Sequence, residues 1–216
     1  QGYGLTETAP ILTTLDPDDH RAAIAHNRED LLRAAGRAVA GVELSIRDDD
    51  DREMPPGEVG ELVVRGPNVA PGYFNRPDET EQAFRSGWFH TGDLGRIDAN
   101  GILTLVDRKK DMVVTGGENV YTSEVEAVLY RHPDVLEVAV IGVPDEKYGE
   151  ALFAVVVPVS GKDLSVEELI EHCRGRIGSY KIPRHMDIVP EMPKSAMGKI
   201  LKTELRRIYA GRTTSF

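Results

Sequence analysis

A single cysteine, Cys173, stands in 216 residues. No internal disulfide can form, and a reducing compartment such as the cytoplasm is expected. No apolar run approaches the roughly 18–20 residues that span a bilayer, and no secretory-signal pattern is visible. Basic residues are the minority: Lys and Arg number 26 against 36 Asp and Glu, for a formal net charge of -10. That balance excludes a nucleic-acid partner held through phosphate contacts, which needs a basic face. The Gly-x-x-x-x-Gly-Lys-Ser/Thr spacing of a P-loop does not occur. Neither a Ser/His/Asp order nor metal-ligand spacing surrounds His90, and no internal repeat is visible. An initiator Met is also missing, so the chain, opening on Gln1-Gly2, reads as a piece of a longer protein.

What is present is ordinary for a globular protein, with 40% hydrophobic and 29% charged residues. The length allows one large domain or two small ones. Residues 1–8 are glycine-rich and could present backbone N–H groups to an anion or form a plain surface turn. Asp16-Pro17-Asp18-Asp19 has a loop signature, and residues 27–33 suit a helix. From Gly41 the pattern is one of short strands over 42–46, 60–65 and 102–106, the last entered through the turn Ala99-Asn100-Gly101. The acids 48–51 read as a solvated hairpin tip, since consecutive carboxylates lack the alternate spacing of a calcium loop. A short helix over 78–84 takes Asp78 as its N-cap. Residues 41–106 therefore predict a small antiparallel β-barrel-like unit or curved sheet, within a first domain of residues 1–107.

The texture then changes. A strand over 112–114 ends at Gly116-Gly117. Helices are expected over 123–132, capped by Ser123, and over 166–177, with a Ser165/Glu168 capping box. Strands cover 135–143, broken by Pro144-Asp145, and 152–159. A short strand at 188–189 and a helix over 202–209 finish the chain. Residues 108–216 predict an α+β domain, making the whole a mixed α/β protein.

Several side chains could do chemistry. Asp93, beside Gly92, could accept a ribose diol or cap a turn. Arg108 could bond the same sugar or sit in a surface ion pair. Gly116-Gly117, between a strand and a helix, could meet a need for positive φ or let a narrow ligand pass close to the backbone. Lys199 is either a solvated lysine or a movable charge aimed at a phosphate. His90 is expected to be structural, and Cys173 buried within a helix.

Six stretches occur together in one order. They are Gln1-Gly2-Tyr3-Gly4-Leu5-Thr6-Glu7-Thr8, Gly87-Trp88-Phe89-His90-Thr91-Gly92-Asp93, Asp107-Arg108-Lys109-Lys110-Asp111, Gly116-Gly117-Glu118-Asn119-Val120, Val143-Pro144-Asp145-Glu146-Lys147-Tyr148-Gly149-Glu150 and Pro193-Lys194-Ser195-Ala196-Met197-Gly198-Lys199. As a set they resemble the adenylate-forming superfamily of acyl-CoA synthetases, luciferases and peptide-synthetase adenylation domains, with the nearest look to bacterial fatty-acyl or aryl acid CoA ligases. The resemblance implies the tail of a large nucleotide-binding domain followed by a small C-terminal lid, with the upstream phosphate loop and most of the acyl pocket lying in a missing N-terminal portion. It implies ATP, Mg²⁺, coenzyme A and a small carboxylic acid as ligands, and no adenylation by this chain alone. Tyr3 would stack on adenine, Thr6 would bond the α-phosphate and Glu7 would hold Mg²⁺. Asp93 and Arg108 would take the ribose. Lys110 would be the hinge, a place where many relatives carry Asp and others Lys. Gly116 and Gly117 would line the pantetheine tunnel. Tyr148, Tyr180 and Arg184 would touch CoA, and Lys199 would serve adenylation. A domain that loads a carrier protein, and a non-catalytic binding fragment, are the alternative readings.

Overall fold

The computed structural model describes residues 1–210 and divides the chain into two units, Gln1–Lys109 and a second that begins at Lys110. The first opens with three short strands, β1 (Gly2–Tyr3), β2 (Thr13–Thr14) and β3 (Arg37–Ala38), hydrogen-bonded in that order and antiparallel. Helices α1 (Pro17–Ala25) and α2 (Glu29–Leu32) fill the connection from β2 to β3. The acids at 16–19 thus start a helix instead of forming a loop. Asp16 accepts the Asp19 amide at 2.9 Å, and Pro17, whose fixed φ suits the first helical turn, follows it.

The main sheet of this unit comprises β4 (Glu43–Arg47), β5 (Gly60–Arg65), β6 (Phe84–Arg85), β7 (Trp88–Ile97) and β8 (Leu103–Arg108), with α3 (Pro77–Ala83) leading into β6. β7 organises it, pairing with β5 from Phe89 to Gly95, with β6 at its start and with β8 over its second half. Register shifts at Glu61/Val63 and Leu94/Gly95 curl this antiparallel sheet. Leu62, Val64, Phe89 and Leu103 pack inside it with Leu12 and Ile46. Each such fully buried side chain contributes about 1.5–3 kcal/mol. One local expectation here needs correcting. α3 begins at Pro77, so Asp78 lies in its first turn and is not its cap. The turn Ala99-Asn100-Gly101 joins β7 to β8 as expected: the Gly101 amide donates to the Asp98 carbonyl at 2.9 Å, and Asp98 Oδ1 accepts the amides of Asn100 at 2.9 Å and Ile102 at 2.8 Å.

In the second unit, β9 (Val113–Thr115) and β10 (Glu118–Val120) form a hairpin. Then come α4 (Thr122–Leu129), β11 (Val135–Asp145), β12 (Gly149–Pro158), α5 (Val166–Cys173), β13 (His185–Ile188) and α6 (Lys202–Tyr209). β12 is central, antiparallel to β11 and β9 and parallel to β13. Its apolar run is continuous because both faces are covered. Leu152, Ala154 and Val156 pack with Val125, Leu129 and Leu169 of α4 and α5, whereas Ala151, Phe153 and Val155 pack with Leu205 and Tyr209 of α6.

Several boundaries differ from those expected. Pro144 does not break β11, which is an edge strand where a missing N–H costs no ladder bond; Pro144 stays paired with Glu150. α4 starts at Thr122, placing Ser123 inside its first turn. α5 keeps its Ser165/Glu168 capping box but ends at Cys173, because Arg174 turns extended and Gly175 takes φ +73°. The strand expected at 188–189 lies at His185–Ile188.

Candidate functional site

In the first unit, Asp93 sits inside β7 directly opposite Arg108 of β8, immediately before the register shift. It belongs to a ladder, not to the tight turn expected from its glycine neighbour. Its side chain is 9% exposed, and both oxygens are engaged. Tyr3 donates its hydroxyl to Oδ2 at 2.6 Å, and Arg108 Nε lies 3.2 Å from Oδ1. Burial first, then the bond to Asp93, pushes the Tyr3 hydroxyl well above its ordinary pKa, so it stays a donor. The β1–β2 pairing carries Tyr3 to this place. Gly4 then lets the chain fold back, since a Cβ there would lie 1.6 Å from the Pro10 carbonyl oxygen.

Thr6 and Glu7 occupy the single tight helical turn Thr6–Thr8, which Thr8 Oγ1 pins through the Leu5 amide at 3.0 Å. Thr6 is exposed and Glu7 half-buried. Glu7 Oε1 accepts the Tyr73 hydroxyl at 3.0 Å, and its backbone carbonyl accepts the Ala70 amide at 2.8 Å. Among the described residues no group of three or more His, Cys, Asp or Glu side chains could hold a metal ion. Glu7 is thus not part of a preformed cluster of three or more ligands among the described residues. Such a donor suits Mg²⁺, which keeps most of its waters and shares itself with substrate phosphates.

Beside Gly92 lies a polar cluster, centred on the buried Glu61, that sequence reading missed. Glu61 Oε1 accepts the Gly92 amide at 3.2 Å, and Oε2 lies 3.2 Å from His90 Nδ1 and 3.1 Å from Lys109 Nζ. Asp49 Oδ1 holds the same ammonium at 2.7 Å. Burial acts against the Lys109 charge, yet the bonds to Asp49 and Glu61 outweigh it and raise its pKa. The acidic run at 48–51 forms the expected tip between the paired Arg47 and Glu53, with the Asp49 side chain 89% exposed, and its last member, Asp51, also reaches His90 Nε2 at 3.3 Å. The available signal was Glu61, a carboxylate set within the apolar strand Gly60–Arg65.

In the second unit, Gly116 and Gly117 form a two-residue turn between β9 and β10, with φ of +60° and +86°. Two left-handed residues match the twist of a tight hairpin. The pair therefore joins strand to strand, where strand to helix was expected. Gly116 donates its amide to the Tyr148 carbonyl at 3.0 Å, and a Cβ on Gly116 would lie 3.2 Å from the Tyr148 ring. The Arg184 guanidinium lies 3.9 Å from the centre of that ring. Gly116, Tyr148 and Arg184 thus share one surface. Tyr180 belongs to a different cluster: its ring meets Lys181, which bonds Glu124 of α4 at 2.7 Å.

Lys199 is exposed at the end of a tight turn. Ser195 Oγ accepts the Lys199 amide at 3.2 Å, Gly198 adopts φ +78°, and Lys194 pairs with Ile200 across the base. Lys110 is exposed, while Asp111 beside it is buried and ion-paired to Arg206 of α6 at 2.5 Å. Asp111 lay within a motif singled out above, but nothing in the sequence pointed to Arg206 as its partner.

The residues 1–74 match the family described as AMP-binding enzyme, and residues 124–199 match the AMP-binding enzyme C-terminal domain. The chain belongs to the AMP-binding enzymes. Feruloyl-CoA synthase of an Amycolatopsis species is 44% identical over 97% of this chain and 41% of its own length. A long-chain-fatty-acid–CoA ligase of Escherichia coli is 44% identical over 98% of this chain and 36% of its own length. Among solved structures, ATP-bound MatB from Rhodopseudomonas palustris superposes with a TM-score of 0.87 at 35% identity, covering 99% of this chain and 41% of that one. MenE from Bacillus subtilis, an o-succinylbenzoate CoA synthetase bound to its acyl-adenylate intermediate, gives 0.84 at 38% identity over 95% and 40%. This AMP-binding chain therefore spans about two-fifths of the length of the relatives it matches.

Proposed function

We propose that the chain is part of an AMP-forming acid–thiol ligase that converts a carboxylic acid, ATP and coenzyme A into acyl-CoA, AMP and pyrophosphate. The reaction is assigned to a polypeptide joining these residues to an upstream region such as the relatives carry. By itself this chain is not expected to adenylate. The observation that carries the reading is that one unit holds both an exposed charge, Lys199, and a glycine turn open at Gly117, on separate exposed turns. A unit so equipped can present one group for adenylation and the other for thioester formation.

In the first half-reaction a carboxylate oxygen attacks the α-phosphorus of ATP, the new P–O bond replaces the bond to the leaving pyrophosphate, and an acyl-adenylate forms. Asp93 accepts the ribose hydroxyls while Tyr3 and Arg108 hold its oxygens in place. Tyr3 offers its ring to adenine and Thr6 its hydroxyl to the α-phosphate. Glu7 would hold Mg²⁺, which supplies charge neutralisation on the phosphates when bound. Lys199 stabilises the charge that builds on the transferring group. In the second half-reaction the unit turns at Lys110, withdrawing Lys199 and bringing Gly117 to the anhydride. The CoA sulfur attacks the acyl carbon, the new C–S bond replaces the acyl C–O bond to the phosphate, AMP departs and the thiol proton passes to solvent. Tyr148 and Arg184 form the surface that CoA passes, with Tyr180 on a neighbouring cluster. Fatty or aromatic acids are the substrate class, and the lone buried Cys173 suits a reducing cytoplasm.

The test separates the half-reactions in the full-length enzyme. Lys199→Ala should slow adenylation by about a hundredfold or more, the scale of one preorganised charge. Thioester formation from supplied acyl-adenylate should change far less. Equal loss in both steps would refute the assignment.

A further inference from the structure

The residues on either side of Lys110 are each tied down inside their own unit. In the first unit Lys109 makes three attachments. Its amide donates to the Gly92 carbonyl at 2.8 Å, and its ammonium reaches Glu61 at 3.1 Å and Asp49 at 2.7 Å. Glu61 is the buried member of that set, with a side chain 7% exposed, and it also braces Gly92 and His90. In the second unit Arg206 Nη2 bonds Asp111 Oδ1 at 2.5 Å and, with the same nitrogen, the carbonyl of Lys110 at 3.2 Å. Asp111 is 11% exposed at its side chain, and Arg206 projects from α6, whose Leu205 and Tyr209 are locked in the core.

Each tie contains a carboxylate that burial makes costly to leave alone. Removing the partner of a buried charge costs about 3–5 kcal/mol, whereas an exposed pair is worth under about 1 kcal/mol. The ties therefore persist, and between them lie only the φ and ψ of Lys110, whose side chain is exposed and whose carbonyl is held with the second unit by Arg206. If both neighbours are held, a rotation of one unit against the other has to be absorbed by the φ and ψ of a single residue. A hinge spread over four or five residues would let the second unit arrive in many orientations. A one-residue hinge limits it to few.

We infer that Arg206 and Glu61 are positioning residues for the two-step reaction, acting through Asp111 and Lys109 to confine the turning motion to the backbone of Lys110. This rests on the function proposed above. A purely structural role for the same ion pairs predicts loss of stability without a local effect at the hinge, and the two are separable.

The experiment uses the full-length enzyme and compares Arg206→Met, Arg206→Lys and Glu61→Gln with Lys199→Ala. Amide hydrogen exchange over residues 106–114 is measured beside the two half-reactions. Arg206→Met should speed exchange at Asp111 and Met112 by about tenfold, the scale of one charge-assisted bond, with the α5 and β12 amides unchanged. Glu61→Gln should do the same at Lys109 and not at Asp111. Both variants should slow the two half-reactions by similar factors, about tenfold, since each step depends on the same hinge geometry. Arg206→Lys, which keeps a donor and a charge, should recover part of both effects and guards against a variant that fails to fold. Unchanged exchange at 109–112, or exchange raised uniformly across the second unit, would overturn the inference. So would half-reaction rates that match the parent. Should Lys199→Ala impair both half-reactions equally, the functional reading fails instead, and the exchange pattern still reports on the ties.

Discussion

The two units hold their reactive groups in opposite ways. In the first, Asp93 is set in a strand ladder, nearly buried, with Tyr3 and Arg108 on its two oxygens. In the second, Lys199 and Gly116-Gly117 sit on short exposed turns shaped by left-handed glycines. Under the function proposed above, a carboxylate that receives the same sugar in every step gains from being fixed before the ligand arrives, because no ordering cost remains at binding. A charge that must enter and leave gains from a short turn on a rigid base. On that proposal the contrast separates a receptor from a carrier. It also explains why the second unit has the better-covered sheet: β12 is packed on both faces, giving its turns a stiff support.

The sharpest way to break this contrast is to ask whether the units are separately stable. Leu62 in the first and Leu169 in the second are both 0% exposed. Leu62→Ala and Leu169→Ala should each cost about 2–5 kcal/mol through lost burial and the cavity left behind. Calorimetry of this chain should show each substitution lowering the transition of its own unit only. A single transition lowered equally by both would mean that the units melt as one, and the receptor–carrier division would lose its physical basis.

How much of this was legible in the sequence follows the same division. The α5 capping box and the α6 helix could be read directly, because Ser165, Glu168 and the apolar spacing act within a few residues of one another. Asp93 and Lys199 were also named, though only as members of a motif set. What could not be read was non-local. The Tyr3 bond to Asp93 spans ninety residues and Arg206 to Asp111 ninety-five. Pro144 misled because its meaning depends on β11 being an edge strand, a fact of sheet order. The glycine pair misled for a related reason: the strand that follows it is short and polar, and only pairing with β9 makes it a strand.

Next in size is the effect of removing the receptor's carboxylate. Asp93→Ala in the full-length enzyme should weaken ATP and AMP binding by about tenfold or more, because the ribose loses a charged acceptor. It should also destabilise the first unit, since the buried Tyr3 hydroxyl loses its acceptor. Titration calorimetry checks the first effect and thermal unfolding the second. An unchanged AMP affinity would break the receptor half of the comparison.

A smaller effect is expected from pH. Burial raises the Glu61 carboxyl pKa, but the bonds from His90 and Lys109 outweigh it, leaving the group below its ordinary 4.5. A carboxyl depressed in the folded state adds stability that is complete above about pH 4.5 and disappears as pH falls through the folded value. Acid should therefore loosen the first unit around Gly92 and Lys109, and Glu61→Gln should flatten that dependence. Unfolding curves between neutral and acid pH, followed at Trp88, measure it; an identical slope in the variant would remove Glu61 as the cause.

The smallest effects sharpen the carrier half of the comparison, at the hairpin tip. Gly116 and Gly117 both have positive φ, so alanine at either position carries a backbone penalty of about 1 kcal/mol. They differ in what a methyl would meet. At Gly116 it would press on the Tyr148 ring at 3.2 Å, whereas at Gly117 nothing lies within 4 Å. Gly116→Ala should therefore be the more destabilising of the two by chemical denaturation. In thioester formation the order should reverse. A methyl at Gly117 projects into open space, the very space a pantetheine arm needs if it passes that backbone. Gly117→Ala should slow the CoA step more than Gly116→Ala while leaving adenylation unchanged. If the two variants rank the same way in stability and in the CoA step, the turn is only a hairpin closure, and the open space beside Gly117 has no ligand to receive.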